Sequence, residues 1–166
     1  MRDGYRVLDA DRHVIEPTEM WKSYLAPEFR SRAPYFEEPS SREPVGDRLA
    51  RLGAKGLLPL TPLLMLGGEP VMHKLSERAR IELAVARNQR AGRDPGGHRP
   101  ESQLQHMGRV GIDVGFLFPT YTHYLVNIDG MDPALAAAFA SAYNTWLHEY
   151  CARAPDRLFG VGAGIE

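Results

Sequence analysis

The chemistry in this chain begins where an aliphatic run gives way to carboxylate and imidazole, in Val7-Leu8-Asp9-Ala10-Asp11-Arg12-His13-Val14-Ile15-Glu16-Pro17. The run reads as a buried strand over about residues 5–11, and on a strand residues two apart point the same way. Asp9, Asp11 and His13 then share one face, and Ala10 and Arg12 share the other. An Asp-x-His pair at a strand end can grip one divalent ion, with Asp9 as a reserve ligand. Glu16 stands just beyond the pair, as an outer partner for His13 or as the entry to the following helix. The competing reading is that Asp and His serve here as caps and turn formers.

The elements that must position these residues alternate between strand and helix. Pro17 and Glu19 suit the first turn of a helix carrying Trp21, Tyr24 and Leu25 on its apolar stripe. Residues 31–73 are broken by prolines and glycines into an irregular insertion, with at most short helices near 45–53 and 61–66. The run from Leu57 to Leu66 is too apolar to be solvated, so it must cover a core, a pocket or a neighbour. A helix is expected over 76–91, with Ser76 as its cap, and another over 101–109. The second strand, at 112–118, is aliphatic on both faces, as buried parallel strands are. The strongest helix spans 133–153, capped by Asp132 with Pro133 in its first turn, and leads to a third strand from Leu158 onward. Right-handed crossovers in this order suit the opening of a (β/α)8 barrel. An open dinucleotide-binding sheet fits less well, because no glycine-rich turn follows strand one.

Several blocks also resemble one family. Asp9-Ala10-Asp11-Arg12-His13-Val14-Ile15-Glu16-Pro17, then Met20-Trp21-Lys22-Ser23-Tyr24-Leu25 and Pro27-Glu28-Phe29-Arg30, are similar to the start of the amidohydrolase-2 family, the relatives of aminocarboxymuconate-semialdehyde decarboxylase. Gly111-Ile112-Asp113-Val114-Gly115-Phe116-Leu117-Phe118-Pro119-Thr120, Asp132-Pro133-Ala134-Leu135-Ala136 and Ala154-Pro155-Asp156-Arg157-Leu158-Phe159-Gly160-Val161 continue the resemblance in order. It covers roughly residues 5–38 and 96–162. The resemblance implies a metal-dependent barrel whose first strand gives two ligands, here Asp11 and His13, with further His ligands and a late Asp on later strands. The implied metal is zinc first, and the Asp in place of a first His also admits manganese or magnesium.

The fold expectation is therefore α/β: the first three βα units of a TIM-type (β/α)8 barrel, with an irregular, partly helical insertion of about 31–100 after strand one. Chemistry in such barrels collects at the C-terminal ends of strands. That places Thr120, Tyr121 and His123, after strand two, as candidate substrate contacts, with Tyr121 as pocket wall and His123 able to bind a carboxylate or move a proton. His73, His98, His106 and His148 read as surface or packing residues, and Cys151 as core. No general base can be named, so catalytic residues stay unassigned.

A barrel of this kind needs about 250 residues, and the chain has 166. The expectation is a single incomplete domain over 1–166. Its sheet would be covered by a second polypeptide supplying the remaining strands, or by self-association. A catalytic zinc takes about three protein ligands and a water, so two are too few. The bulk composition, 43% hydrophobic and 25% charged with a formal net charge of −1, excludes a steering field for nucleic acid or anionic membrane. One cysteine, no long apolar run and no signal-like start suggest a cytoplasmic protein. Three functions remain. The chain is part of a metal-dependent enzyme that decarboxylates or hydrolyses a small carboxylated or cyclic substrate, a non-catalytic subunit docking on a full-length relative, or a truncated product without function.

Overall fold

The computed structural model describes residues 4–37, 47, 63–75 and 97–164. Along the chain these form β1 (Leu8–His13), α1 (Thr18–Tyr24), β2 (Tyr35–Glu37), β3 (Leu63–Leu66), β4 (Glu69–Pro70), α2 (Pro100–Val110), β5 (Val114–Phe118), α3 (Thr122–Val126), α4 (Pro133–Cys151) and β6 (Leu158–Gly160). Two 3-10 turns, Pro27–Arg32 and Val71–Lys74, join them. The expected helix over 76–91 and the stretch 48–62 lie outside the described residues.

One sheet is parallel, in the order β1-β5-β6. β5 sits at its centre because it is apolar on both faces, with Val114 and Leu117 almost fully buried. Arg157 locks the start of β6 to the start of β5, its guanidinium donating to the carbonyls of Asp113 and Ile112, each at 3.0 Å. The fold is thus mixed α/β with a parallel sheet, as expected.

Helices cover one face of that sheet. α4 begins where Asp132 accepts a hydrogen bond from the Ala134 amide at 3.0 Å, with Pro133 in the first turn. Its Leu135, Phe139, Tyr143 and Leu147 recur at helical spacing and are buried. Phe139 meets Trp21 of α1 edge to face at 5.5 Å, and burying two such aromatics contributes roughly 1.5–3 kcal/mol each. Gly160 lets α4 approach β6 closely, since a Cβ there would lie 2.5 Å from Leu147. α2 ends on Gly111 at φ 77°, a left-handed cap that glycine takes without strain.

The insertion differs from the expected short helix at 61–66. β3 pairs antiparallel with both β2 and β4, and all four of its residues are buried. The reason lies in Gly67 and Gly68, at φ 63° and 81°, which form a two-residue turn with both central residues left-handed. Such a turn matches the twist of a hairpin and sets β3 against β4. The apolar run therefore packs inward over its described part. Phe36 of β2 rests on Tyr121 at 5.1 Å, which seats this small sheet beside the loop that follows β5.

Candidate functional site

β1 runs to His13, beyond the expected end near residue 11, and it is not a regular strand. Leu8 and Asp9 pair with Val114 and Gly115, whereas Arg12 and His13 pair with Leu117 and Phe118, so β1 spends one residue more than β5 over the same span. This bulge reverses the alternation of side chains beyond it. The expectation that Asp9, Asp11 and His13 share a face is corrected accordingly. Asp9 and Arg12 lie on the side of α2, where a Cβ on Gly115 would touch Arg12 at 3.0 Å and Met107 at 3.6 Å. Asp11 and His13 turn to the open side, which also carries Leu8, 58% exposed, and the stacked pair Phe116 and Phe159.

On that open side His13 Nε2 stands 3.6 Å from Asp11 Oδ1, with the aspartate largely in solvent. The other ring nitrogen, Nδ1, is 2.9 Å from the Pro119 carbonyl. A carbonyl only accepts, so Nδ1 carries a proton and Nε2 is the nitrogen turned toward Asp11. That is the backing hydrogen bond a metal-binding histidine uses. Among the described residues no group of three or more His, Cys, Asp or Glu comes together. The pair fits half of a divalent site in donor chemistry and falls short of a whole one in number.

Glu16 reaches from the end of β1 to the loop that follows β5. Its side chain is buried at 1% exposure, and its carboxylate accepts from the backbone amides of Thr120, Tyr121 and Thr122 at 2.9–3.2 Å and from the Thr122 hydroxyl at 2.8 Å. Those donors are the unpaired amides at the start of α3, which attract an anion. Glu16 thus fixes the turn that carries the Pro119 carbonyl onto His13. Burial, followed by the Glu16 carboxylate, pushes the Tyr143 phenol well above its usual range.

The remaining candidates fall on two sides of this arrangement. Thr120 is buried, and its hydroxyl donates to the Val14 carbonyl and lies 3.5 Å from His13 Nδ1. It supports the pair from below. Tyr121 is half-buried against Phe36. His123 is exposed on α3 and stacks edge-on to Tyr124, and it does not join Asp11 and His13 in a donor cluster. Asp9 serves the bulge: its Oδ1 accepts from the Asp11 amide at 3.3 Å and its Oδ2 from Arg12 at 3.2 Å. Sequence reasoning missed Gln103 and His106 of α2, which receive Arg12. The signal for Gln103 was its place four residues before Met107, on the apolar side of that helix.

Among the described residues no helix is long and apolar enough to cross a membrane. No family model and no curated protein matches the chain. Among solved structures, an amidohydrolase from Mycobacterium avium subsp. paratuberculosis K-10 is similar at 18% identity and a TM-score of 0.55, over 96% of this chain. The chain spans 42% of the length of that structure. The likeness is one of fold alone, over the part of that structure that the chain spans.

Proposed function

We propose that the chain is the N-terminal part of a cytoplasmic, metal-dependent enzyme of the amidohydrolase-2 type. It builds the first three βα units of a barrel and works with a second polypeptide that carries the remaining strands. Asp11 and His13 are its two metal ligands, with zinc the first choice and manganese or magnesium the others. The reaction is non-oxidative decarboxylation or hydrolysis of a small carboxylated or cyclic substrate. One observation carries this reading: an Asp-His pair at the C-terminal end of a parallel strand, on the face opposite the helices, with the histidine Nδ1 held by the Pro119 carbonyl. The exposed Leu8 and Phe159 on that face support a covering partner.

A bound divalent ion would polarise a substrate carbonyl or activate water there. This chain's own residues do the rest of what is needed on their side. His13 donates its Nδ1–H to the Pro119 carbonyl, which leaves Nε2 as the nitrogen directed to the site. Thr120 and the turn held by Glu16 keep the ring from rotating. Tyr121 on the turn after β5 and His123 at the start of α3 are the residues that would contact the substrate, with Thr120 buried behind them as their support.

A second reading is a non-catalytic subunit docking on a full-length relative, which the exposed Leu8 and Phe159 of the open face would serve equally. One experiment separates the two. The chain is co-purified with whatever it binds, and the intact complex is analysed for metal in wild type, Asp11→Asn and His13→Ala. Ligand loss lowers metal content and cuts activity by orders of magnitude while the complex persists. Equal occupancy in all three would establish the docking reading instead.

A further inference from the structure

The feature of β1 that decides where Asp11 and His13 point is the bulge, and the bulge has its own support. An extra residue in one strand leaves an amide without a ladder partner and an exposed kink that sheet pairing alone does not hold. Asp9 takes the first task by accepting from the Asp11 amide at 3.3 Å. The second falls to a polar cluster on the helix side. Arg12, whose side chain is 11% exposed, forks to three acceptors: Asp9 Oδ2 at 3.2 Å, Gln103 Oε1 at 2.8 Å and His106 Nδ1 at 2.7 Å. Gln103 is 5% exposed and uses both ends of its amide. While Oε1 receives Arg12, Nε2 donates to the His13 carbonyl at 2.8 Å.

Gln103 thus grips β1 on the far side of the bulge from Asp9, at the main chain of the ligand residue itself. We propose that Gln103, acting with Arg12, is a positioning residue for the Asp11–His13 pair, holding the bulge in the register that turns both side chains to the open face. Without the bulge, alternation from Asp9 would aim Asp11 and His13 at α2, where neither could meet a metal or a substrate. The buried cluster serves orientation as well as stability. Partners of this kind typically change metal affinity by about 10–100-fold when lost. This proposal rests on the reading of Asp11 and His13 as ligands.

The test uses the full chain with Gln103→Glu and Gln103→Met. The glutamate keeps an acceptor for Arg12 and replaces the donor to His13 by a second carboxylate oxygen. The methionine removes both bonds at similar volume. Zn²⁺ is titrated into each protein while the His13 imidazole nitrogens are followed by NMR, and thermal unfolding is recorded beside them. The expected result is a zinc affinity at His13 at least tenfold weaker in both variants, with the His13 Nδ1–H signal broadened or moved before any metal is added. Arg12→Lys, which keeps the charge and loses the fork, should fall between wild type and Gln103→Met. Unchanged zinc affinity and an unchanged His13 signal in folded Gln103 variants would overturn the proposal. If wild-type His13 does not respond to zinc at all, the titration is repeated on the co-purified complex, where a second silence means that the ligand reading fails. The metal-free His13 signal then still decides whether Gln103 sets the ring, a shift supporting the proposal and none overturning it.

Discussion

Replacing Glu16 by glutamine changes one buried oxygen into an NH2 group, and the structure says what that group would meet. Both carboxylate oxygens are 3.1–3.2 Å from the amides of Thr120 and Tyr121, and Oε1 also holds the Thr122 amide and hydroxyl at 2.9 and 2.8 Å. Glutamine keeps its oxygen at the Oε1 position, the busier of the two, and turns its NH2 toward two N–H donors. The three amides keep a neutral acceptor and lose the charged one, a difference of about 1 kcal/mol for each. Together these bonds put the loss near 3 kcal/mol, which for a chain of this size lowers the melting temperature by about 6–12 °C. Glu16→Ala leaves the amides to whatever water can enter, and should cost about 4 kcal/mol or more. Urea unfolding followed by circular dichroism gives the free energies. Hydrogen exchange at Thr120, Tyr121 and Thr122 locates them, because only those amides should lose protection well before global unfolding. A loss below about 1 kcal/mol for the glutamine variant, or exchange unchanged at the three amides, would refute the view that this carboxylate pins the turn.

Other perturbations have equally definite outcomes. Gly160→Ala places a Cβ 2.5 Å from Leu147 and 3.3 Å from Cys151, so α4 must shift away from the sheet at a cost of about 1–3 kcal/mol, read as a lower urea midpoint. Burial pushes the Cys151 thiol from an ordinary 9.0 up to about 11. Its contribution is therefore fully present below pH 9 and is lost as pH rises from 9 to 11, where the unfolded chain releases the proton and the folded one keeps it. Cys151→Ala should make stability fall less steeply over that window than in wild type, and parallel slopes would contradict it. Tyr143 and Tyr150, whose phenols are pushed up by burial and further by Cys151, are raised less once the thiol is gone, which acts in the same direction. Gly67→Ala and Gly68→Ala, at φ 63° and 81°, should each destabilise the β3–β4 hairpin by about 1 kcal/mol, visible as faster exchange in Leu63–Leu66.

The parts of this fold that follow from local rules could be read from the chain. Pro133 after Asp132 marked the start of α4, and the period of Leu135, Phe139, Tyr143 and Leu147 marked its buried face. Val114 to Phe118 announced a central strand by being apolar throughout. What escaped was decided by contacts across long separations. Strict alternation predicted one face for Asp9, Asp11 and His13, and nothing local to β1 foretold that Gln103 and Arg12 would hold an extra residue there. Glu16 was singled out for its closeness to His13, whereas its partners are amides at 120–122, and amides have no signature in sequence. The glycine pair at 67 and 68 was legible as a hairpin turn, yet the surrounding prolines and leucines outweighed it in favour of irregular structure.

The bonds that shape the pair share a property with consequences for folding. Glu16 reaches Thr122 across 106 positions, His13 reaches Pro119 across 106, and Arg12 reaches Gln103 across 91. None can form until the whole insertion has been gathered into a closed loop, so the pair should acquire its geometry late and as a unit, after α4 and its neighbours have condensed. Loop closure grows only logarithmically with length, about 0.6 kcal/mol for each doubling. The insertion is therefore free to lengthen or shorten by many residues with little change in stability, provided β2, β3 and β4 still seat beside Tyr121. Chains of this architecture can vary the segment around the small sheet beside Tyr121 while the timing and the geometry of the pair stay fixed.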